Sequence, residues 1–201
     1  MISNTSRRQF VVSALAVTGA AVMPVRAWAL TEARARSLID QVVTDINRAI
    51  ASSGSESAMI REFERIFSRY ADVNIIARST LGADARRASA AQLRAFTDAF
   101  RGYVARKYGK RFDEFRGGRI EVNGVREVKS WHEVRSTAYL PGQAPFGVSF
   151  LVSDRSGQDR FFDMVIEGIS LRLSERTEIG AMLDRRSGDI DALIRDLRSA
   201  G

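Results

Sequence analysis

The chain has 201 residues, of which 45% are hydrophobic and 27% charged, and its formal net charge is +7. It contains no cysteine and one histidine, which excludes a disulfide framework, a lipoprotein anchor and a cysteine- or histidine-based metal centre. The length corresponds to one domain, which can bury about 70% of its unfolded surface and has room for a cavity.

The first predicted element is an export leader over residues 1–29. Arg7 and Arg8 give it a positive start, a mostly apolar run follows over residues 11–23, and Ala27-Trp28-Ala29 fits a small-residue cleavage site. The apolar run is shorter than the roughly 20 residues that a bilayer-spanning helix needs. We therefore predict a cleaved signal peptide and a periplasmic bacterial protein whose mature domain covers residues 30–201.

The stretch Ser6-Arg7-Arg8-Gln9-Phe10 resembles the twin-arginine signal, which exports proteins after they fold. An ordinary Sec signal with a chance arginine pair is the alternative. Removing the leader leaves 172 residues with a net charge of +4, since three basic residues and no acidic ones lie in it. This mild charge does not indicate nucleic acid, but it suits anionic lipid headgroups or an acidic protein surface.

The first half of the mature chain has the apolar periodicity of helices. A first helix follows a cap at Thr31, and a second begins after the loop at residues 52–57. Asp72 is predicted to cap a short third helix that Gly82 ends. Ser89 and Gln92 form a capping box for a fourth helix. One face of that helix is apolar, and the opposite face carries Arg101, Arg106, Lys107, Lys110 and Arg111.

The second half changes to the period of strands. We predict a short strand ending in an Asn123-Gly124 turn, then strands within residues 132–140, 146–154 and 160–168, and a helical tail. A block of helices followed by a block of strands indicates an α+β fold. We expect a twisted four-stranded antiparallel sheet with several helices packed on one face.

Residues able to support catalysis are scarce. His132 has no cysteine or second histidine to form a metal site, and we expect it to lie at the surface or at a sheet edge. No Gly-x-Ser-x-Gly nucleophile elbow occurs. Asp163 and Glu167 would share one strand face, where they could do acid-base work, face solvent or brace a neighbouring helix. We predict that the protein is not an enzyme.

Two long stretches resemble signature regions of the MlaC family, also described as toluene-tolerance auxiliary components. They are LGADARRASAAQLRAFTDAFRGYVARKYG, at residues 81–109, and FFDMVIEGISLRLSERTEIGAMLDRRSGDIDALIRDL, at residues 161–197. The individual motifs, such as Tyr108-Gly109 and Glu167-Gly168, are short. Their order and spacing together extend the resemblance from about Leu30 to Leu197.

The resemblance implies a periplasmic phospholipid carrier. Such a protein buries acyl tails between sheet and helices and takes no cofactor beyond this lipid cargo. It passes lipid between an outer-membrane lipoprotein complex and an inner-membrane ABC transporter that includes an MCE-domain protein, which maintains outer-membrane lipid asymmetry. Residues 30–201 would then be a phospholipid-binding domain, and we expect a monomer.

Strand alternation gives a candidate lipid-binding wall inside this fold. Ser136 and Ala138 are small side chains that we expect to leave space beside it. A solid-core binding or scaffold module and a lipid hydrolase are the alternatives. The predicted wall consists of large side chains from two strands, facing the apolar side of the fourth helix: Val148, Phe150, Val152, Phe162, Met164 and Ile166 on the strands, and Phe100, Tyr103 and Val104 on the helix.

Overall fold

The structure is a computed structural model that describes residues 30–52 and 54–201. The predicted leader lies outside these residues. In this part of the chain, no helix combines the length and the apolar character that crossing a bilayer requires.

The described residues form six α-helices: the four predicted in the first half of the mature chain, and two that make up the predicted helical tail. Thr31 Oγ1, Asp72 Oδ1 and Ser89 Oγ each accept a hydrogen bond from a first-turn backbone N–H. In return, Gln92 Oε1 accepts a hydrogen bond from the Ser89 N–H at 3.0 Å. These caps satisfy donors that a helix start otherwise leaves unpaired. The helices are α1 (Glu32–Ala51), α2 (Glu56–Tyr70), α3 (Val73–Leu81), α4 (Ala90–Gly109), α5 (Leu171–Arg185) and α6 (Ile190–Ser199).

Helices α2 and α4 pack closely because Gly109 has no side chain. A Cβ at that position would lie 2.7 Å from the Cα of Ile60, which is closer than real atoms approach. At the end of α3, Gly82 adopts a φ of 61°, a left-handed conformation that costs glycine little. The predicted stop of α3 at Gly82 is therefore confirmed.

One antiparallel sheet of five strands, in the order β1-β2-β3-β4-β5, forms the second layer. The predicted four-stranded sheet is present, with the two-residue β5 added at its edge. The prediction of a turn at Asn123-Gly124 is wrong. The strand continues past a bulge there, and the chain turns at Lys129-Ser130. The strands are β1 (Arg119–Val128), β2 (Trp131–Tyr139), β3 (Phe146–Ser153), β4 (Arg160–Ile166) and β5 (Ile169–Ser170).

A second bulge changes which side chains of β4 face the core. Leu151 pairs with Asp163, but Val152 pairs with Phe161, so Phe162 has no opposite residue on β3. Phe161 is therefore buried against Phe150, with ring centroids 5.7 Å apart. Phe162 instead contacts Trp131 edge to face at 6.0 Å. The prediction that Phe162 shares a face with Met164 is wrong, because simple alternation fails at a bulge.

The helices cover one face of the sheet, as the sequence predicted. Helix α1 crosses β1, β2 and β3, while α3 and α5 pack beside β4. Helix α4 packs between α2 and α6. The buried side chains of β2 and β3 alternate with less buried ones, which places the core between the sheet and the helices.

A buried carboxylate joins α1 to α2 away from the strands. Asp45 is 7% exposed; its Oδ1 accepts from Arg48 at 2.8 Å, and its Oδ2 accepts from Arg65 and from the Tyr70 hydroxyl, each at 3.1 Å. Burial would raise the pKa of Asp45, but the hydrogen bonds from Arg65 and Tyr70 and the two nearby positive charges outweigh it and lower that pKa. We call these four residues the Asp45 site.

A candidate apolar binding cavity

A cavity of about 130 Å³ lies between the sheet and the helices. Its walls are apolar over nearly all of their area, with one polar edge where α5 begins. Empty apolar cavities of this order stay dry and accept apolar ligands. The apolar lining comes from both layers: Val42, Ile46, Ile50, Phe63, Ile66, Phe67, Ile76, Phe100, Val104, Phe115, Ile120, Phe146, Val148, Phe150, Phe161, Met164, Ile166 and Leu171, with Tyr108 beside the polar edge.

Most of the predicted wall residues meet around this cavity. Three of the nine do not line it: Tyr103, Val152 and Phe162. Tyr103 and Val152 are buried elsewhere in the core, and Phe162 lies beyond the bulge described above. Ser136 and Ala138 are buried without reaching the cavity. The six that line it are Phe100, Val104, Val148, Phe150, Met164 and Ile166.

Sequence reasoning missed the contribution of α1 and α2. Their lining residues belong to stripes that are visible in the sequence, such as Val42, Ile46 and Ile50 on α1. Periodicity shows that such residues face the interior, but it does not show which of them border empty space. The space is set by how the two layers fit together.

The polar edge of the cavity is built around the start of α5. Asp163 is 3% exposed, and its Oδ1 accepts from the backbone N–H groups of Met164 and Arg172 while its Oδ2 accepts from Ser170 Oγ. Asp163 therefore braces the helix start, which is one of the roles that the sequence left open. Glu167 lies in the turn after β4 with a φ of 49°, so the predicted carboxylate pair on one strand face is wrong.

Glu175 forms the other half of the polar edge. It is 3% exposed, and its Oε1 accepts from Tyr108 Oη at 2.5 Å and from Lys107 Nζ at 2.7 Å. Burial, and then the hydrogen bond to Glu175, raises the pKa of Tyr108. Lys107 also pairs with Glu178; these bonds outweigh the effect of burial and raise the pKa of Lys107. We call Lys107, Tyr108, Glu175 and Glu178 the Glu175 site.

The predicted basic face of α4 is largely occupied by contacts within the protein. Arg106 donates to the carbonyls of Leu197 and Ala200 at the end of α6, and Lys110 donates to the carbonyl of Gly201. Arg101 pairs with Asp98 and Glu64, and Lys107 belongs to the Glu175 site. These four cations stabilise helix packing and helix ends. Arg111, the fifth residue of the predicted face, is exposed.

No catalytic arrangement is present among the described residues that line the cavity. His132 is buried at 6% exposure on β2, which lies between β1 and β3, so the prediction of a histidine at the surface or at a sheet edge is wrong. Its Nδ1 and Ser136 Oγ are both without a hydrogen-bond partner among the described residues, but the two residues are four positions apart on β2, about 13 Å along the strand, too far for a nucleophile and its base. Within residues 30–52 and 54–201, no three acidic or histidine side chains converge as a metal site would require.

Two comparisons with known proteins agree with this geometry. The family model described as MlaC protein matches residues 36–199. A structure of the phospholipid-binding protein from Ralstonia solanacearum, solved in complex with a phospholipid, superimposes with a TM-score of 0.70. That match is 18% identical and covers 82% of this chain and 95% of the other. At this identity the structural likeness shows a shared fold.

Proposed function

We propose that this chain, which belongs to the MlaC family, is a phospholipid carrier that holds acyl chains in its apolar cavity. The observation that carries the proposal is the cavity itself, an apolar space between sheet and helices with a single polar edge. The phospholipid bound to the Ralstonia solanacearum protein of the same fold supports it. A solid core, the main alternative from sequence, leaves no such space.

The physical requirement for a carrier is to shield acyl chains from water. Each methylene transferred out of water contributes about 0.8 kcal/mol, so a free two-chain lipid crosses an aqueous space very slowly. The cavity of about 130 Å³ is smaller than the roughly 300–1,000 Å³ of pockets that enclose drug-sized ligands. Loading therefore requires the sheet and the helices to move apart, with the apolar side chains repacking along the tails.

The compartment and the partners belong to the same proposal. A leader over residues 1–29 would deliver the domain at 30–201 to the periplasm as a monomer. There it would carry phospholipid between an outer-membrane lipoprotein complex and an inner-membrane ABC transporter with an MCE-domain protein. This transfer would maintain the lipid asymmetry of the outer membrane. The cargo leaves chemically unchanged, so neither catalysis nor a cofactor is required.

The experiment that tests the cavity is a matched pair of substitutions on β3. Phe150 borders the cavity, whereas its neighbour Leu151 does not. Phe150→Arg places a charge in the apolar lining, where an unpaired ion is costly, and its long side chain can occupy the space that lipid would fill. We expect a folded protein with a lower Tm that purifies without phospholipid, while Leu151→Arg keeps its lipid.

Thermal unfolding and mass spectrometry of extracted lipid give the answer. Complete unfolding of Phe150→Arg would favour the solid-core alternative. A folded Phe150→Arg protein with the lipid content of the unaltered protein would contradict the proposed site.

A further inference from the structure

The surface beside the cavity carries two large apolar side chains that the rest of the protein does not cover. Within the part of the chain that the structure describes, the exposed large hydrophobic residues are Ile169, at 63% exposure, and Leu173, at 53%. Ile169 lies on the edge strand β5, and Leu173 lies in the first turn of α5. We call these two residues the exposed pair. Single exposed apolar residues are ordinary, but two within one short segment indicate a contact surface.

The exposed pair borders the end of the cavity that lies nearest to solvent. Leu171, between the two residues in the chain, lines the cavity and is half-buried. Ile166, another lining residue, is the direct partner of Ile169 in the sheet. Along β3 the lining changes from the half-buried Phe146 to Phe150, which is 1% exposed. The cavity is therefore closest to the surface beside the exposed pair.

Two exposed cations lie next to the exposed pair. Arg176 is three positions after Leu173 on α5, so the two side chains are neighbours on the helix surface. Its guanidinium lies over the end of α3, since a Cβ on Gly82 would be 3.1 Å from Arg176 Nη2. Arg78 is exposed one turn earlier on α3. Neither arginine has an ion pair or a hydrogen bond to another described residue. Glu167 is exposed two positions before the exposed pair, so the two cations outnumber it.

We propose that this surface docks the protein on an anionic phospholipid bilayer. The exposed pair inserts among the headgroups, and Arg78 and Arg176 lie against the lipid phosphates. Apolar side chains flanked by basic residues are the combination with which peripheral proteins bind membrane surfaces. The contact is inferred from the surface alone, and its use in lipid transfer rests on the carrier function proposed above. Acyl tails then pass between bilayer and cavity without crossing open water.

The small size of the apolar surface favours a bilayer over a protein partner. A stable protein–protein interface buries about 800 Å² on each partner around a packed apolar core, which two side chains do not supply. A bilayer has no fixed shape to match, so isolated apolar side chains insert into it without a complementary pocket. A second copy of this chain would also bring Arg78 and Arg176 of both copies to one interface, where like charges repel.

The test is sedimentation of the purified full chain with lipid vesicles. Vesicles of phosphatidylcholine and phosphatidylglycerol in equal parts are compared with vesicles of phosphatidylcholine alone. We expect binding to the anionic vesicles to be about 25-fold tighter, which is about fivefold for each arginine. The difference should shrink at physiological ionic strength, where exposed charges attract over about 8 Å instead of about 30 Å in dilute buffer. Equal binding to both compositions, or binding to neither, would overturn the proposal.

Variants assign the binding to this surface. Leu173→Gln and Ile169→Gln should each weaken binding to anionic vesicles about tenfold, because each removes an exposed apolar side chain. Arg176→Gln should weaken it about fivefold. The matched control is Arg198→Gln, which removes the same charge from an exposed position on α6, a helix that does not line the cavity, and should change binding less than twofold. Residues 1–29 are common to all variants, so differences between variants report this surface.

Lipid content separates this proposal from the carrier function. Each variant should keep the phospholipid that it carries in solution, measured by mass spectrometry, because none of the substituted residues lines the cavity. Unaltered protein that binds vesicles but carries no lipid would overturn the carrier function and leave the docking surface standing. Variants that bind vesicles as tightly as the unaltered protein would overturn the docking surface. Self-association that Leu173→Gln abolishes would also overturn it, since the exposed pair would then join two copies of the chain.

Discussion

The Asp45 site and the Glu175 site contain the same kinds of side chain, but they differ in how many hydrogen bonds the carboxylate makes. In each, a buried carboxylate on one helix accepts hydrogen bonds from a tyrosine and a cation on another. Both oxygens of Asp45 are used, and the site is closed. Among residues 30–52 and 54–201, only one oxygen of Glu175 is used, and the other is unpaired at the cavity.

The difference separates a carboxylate that is fully hydrogen-bonded from one that is bonded through a single oxygen. A carboxylate with all its bonds made inside the protein joins two helices and has nothing left to offer a ligand. A carboxylate with one buried oxygen unpaired lowers stability in the empty protein and becomes favourable only when a donor arrives. Asp45 holds α1 against α2 with both of its oxygens, whereas Glu175 links α5 to α4 with one oxygen among the described residues.

Among the amide substitutions of the two carboxylates, we expect the larger loss of stability at Asp45. The amide in Asp45→Asn would keep one oxygen but turn an NH₂ donor toward a cation that now donates to the carboxylate. We expect this substitution to lower the free energy of unfolding by about 2 kcal/mol, which lowers Tm by about 4–8 °C. Chemical denaturation measures this loss. Asp98→Asn, whose exposed carboxylate pairs only with Arg101 in the part of the chain described, is the control and should change little.

The pH dependence of stability tests whether the Asp45 carboxylate stabilises the fold in its charged form. The pKa of Asp45 is lowered in the folded protein, so its contribution is present above the unfolded value near 3.8 and is lost as the pH falls through the folded value. The stability difference between the unaltered protein and Asp45→Asn should therefore be constant from pH 7 to about pH 5 and shrink below pH 4. A difference that grows as the pH falls would contradict this account.

The smallest effect on stability is expected at Glu175. In Glu175→Gln the amide oxygen can take the place of Oε1, and the NH₂ can occupy the position of the unpaired Oε2. We expect the unfolding free energy to change by less than about 1 kcal/mol, compared with about 2 kcal/mol at Asp45. Equal losses in the two amide variants would show that both carboxylates are structural, and the comparison would fail.

The helix starts and the α+β class could be predicted because their signals are local. Ser89 and Gln92 lie three residues apart, and Asp72 begins the helix that it caps. The bulge at Phe162 could not be predicted, since it depends on how β4 pairs with β3 and not on its own alternation. For the same reason the Asn123-Gly124 pair wrongly predicts the turn after β1.

The Glu175 half of the polar edge had no signal in the sequence. Lys107 and Glu175 are separated by 68 residues, and each alone resembles an ordinary solvent-exposed charge on a helix. Their pairing is decided by the tertiary packing of α4, α5 and β4. Six of the nine predicted wall residues border the cavity because burial follows periodicity, whereas the position of the empty space does not.

The origin of the cavity lining has a consequence for the kinetics of folding. Val42 on α1 and Glu175 on α5 border the same space, although most of the described chain separates them. Contacts at such sequence separation carry a large loop-closure entropy, and proteins rich in them fold more slowly than proteins built on local contacts. An N-terminal portion of the chain that lacks α5 cannot enclose the cavity, because α5 supplies part of its lining. Lipid capture therefore waits until the last third of the chain has been synthesised and has docked.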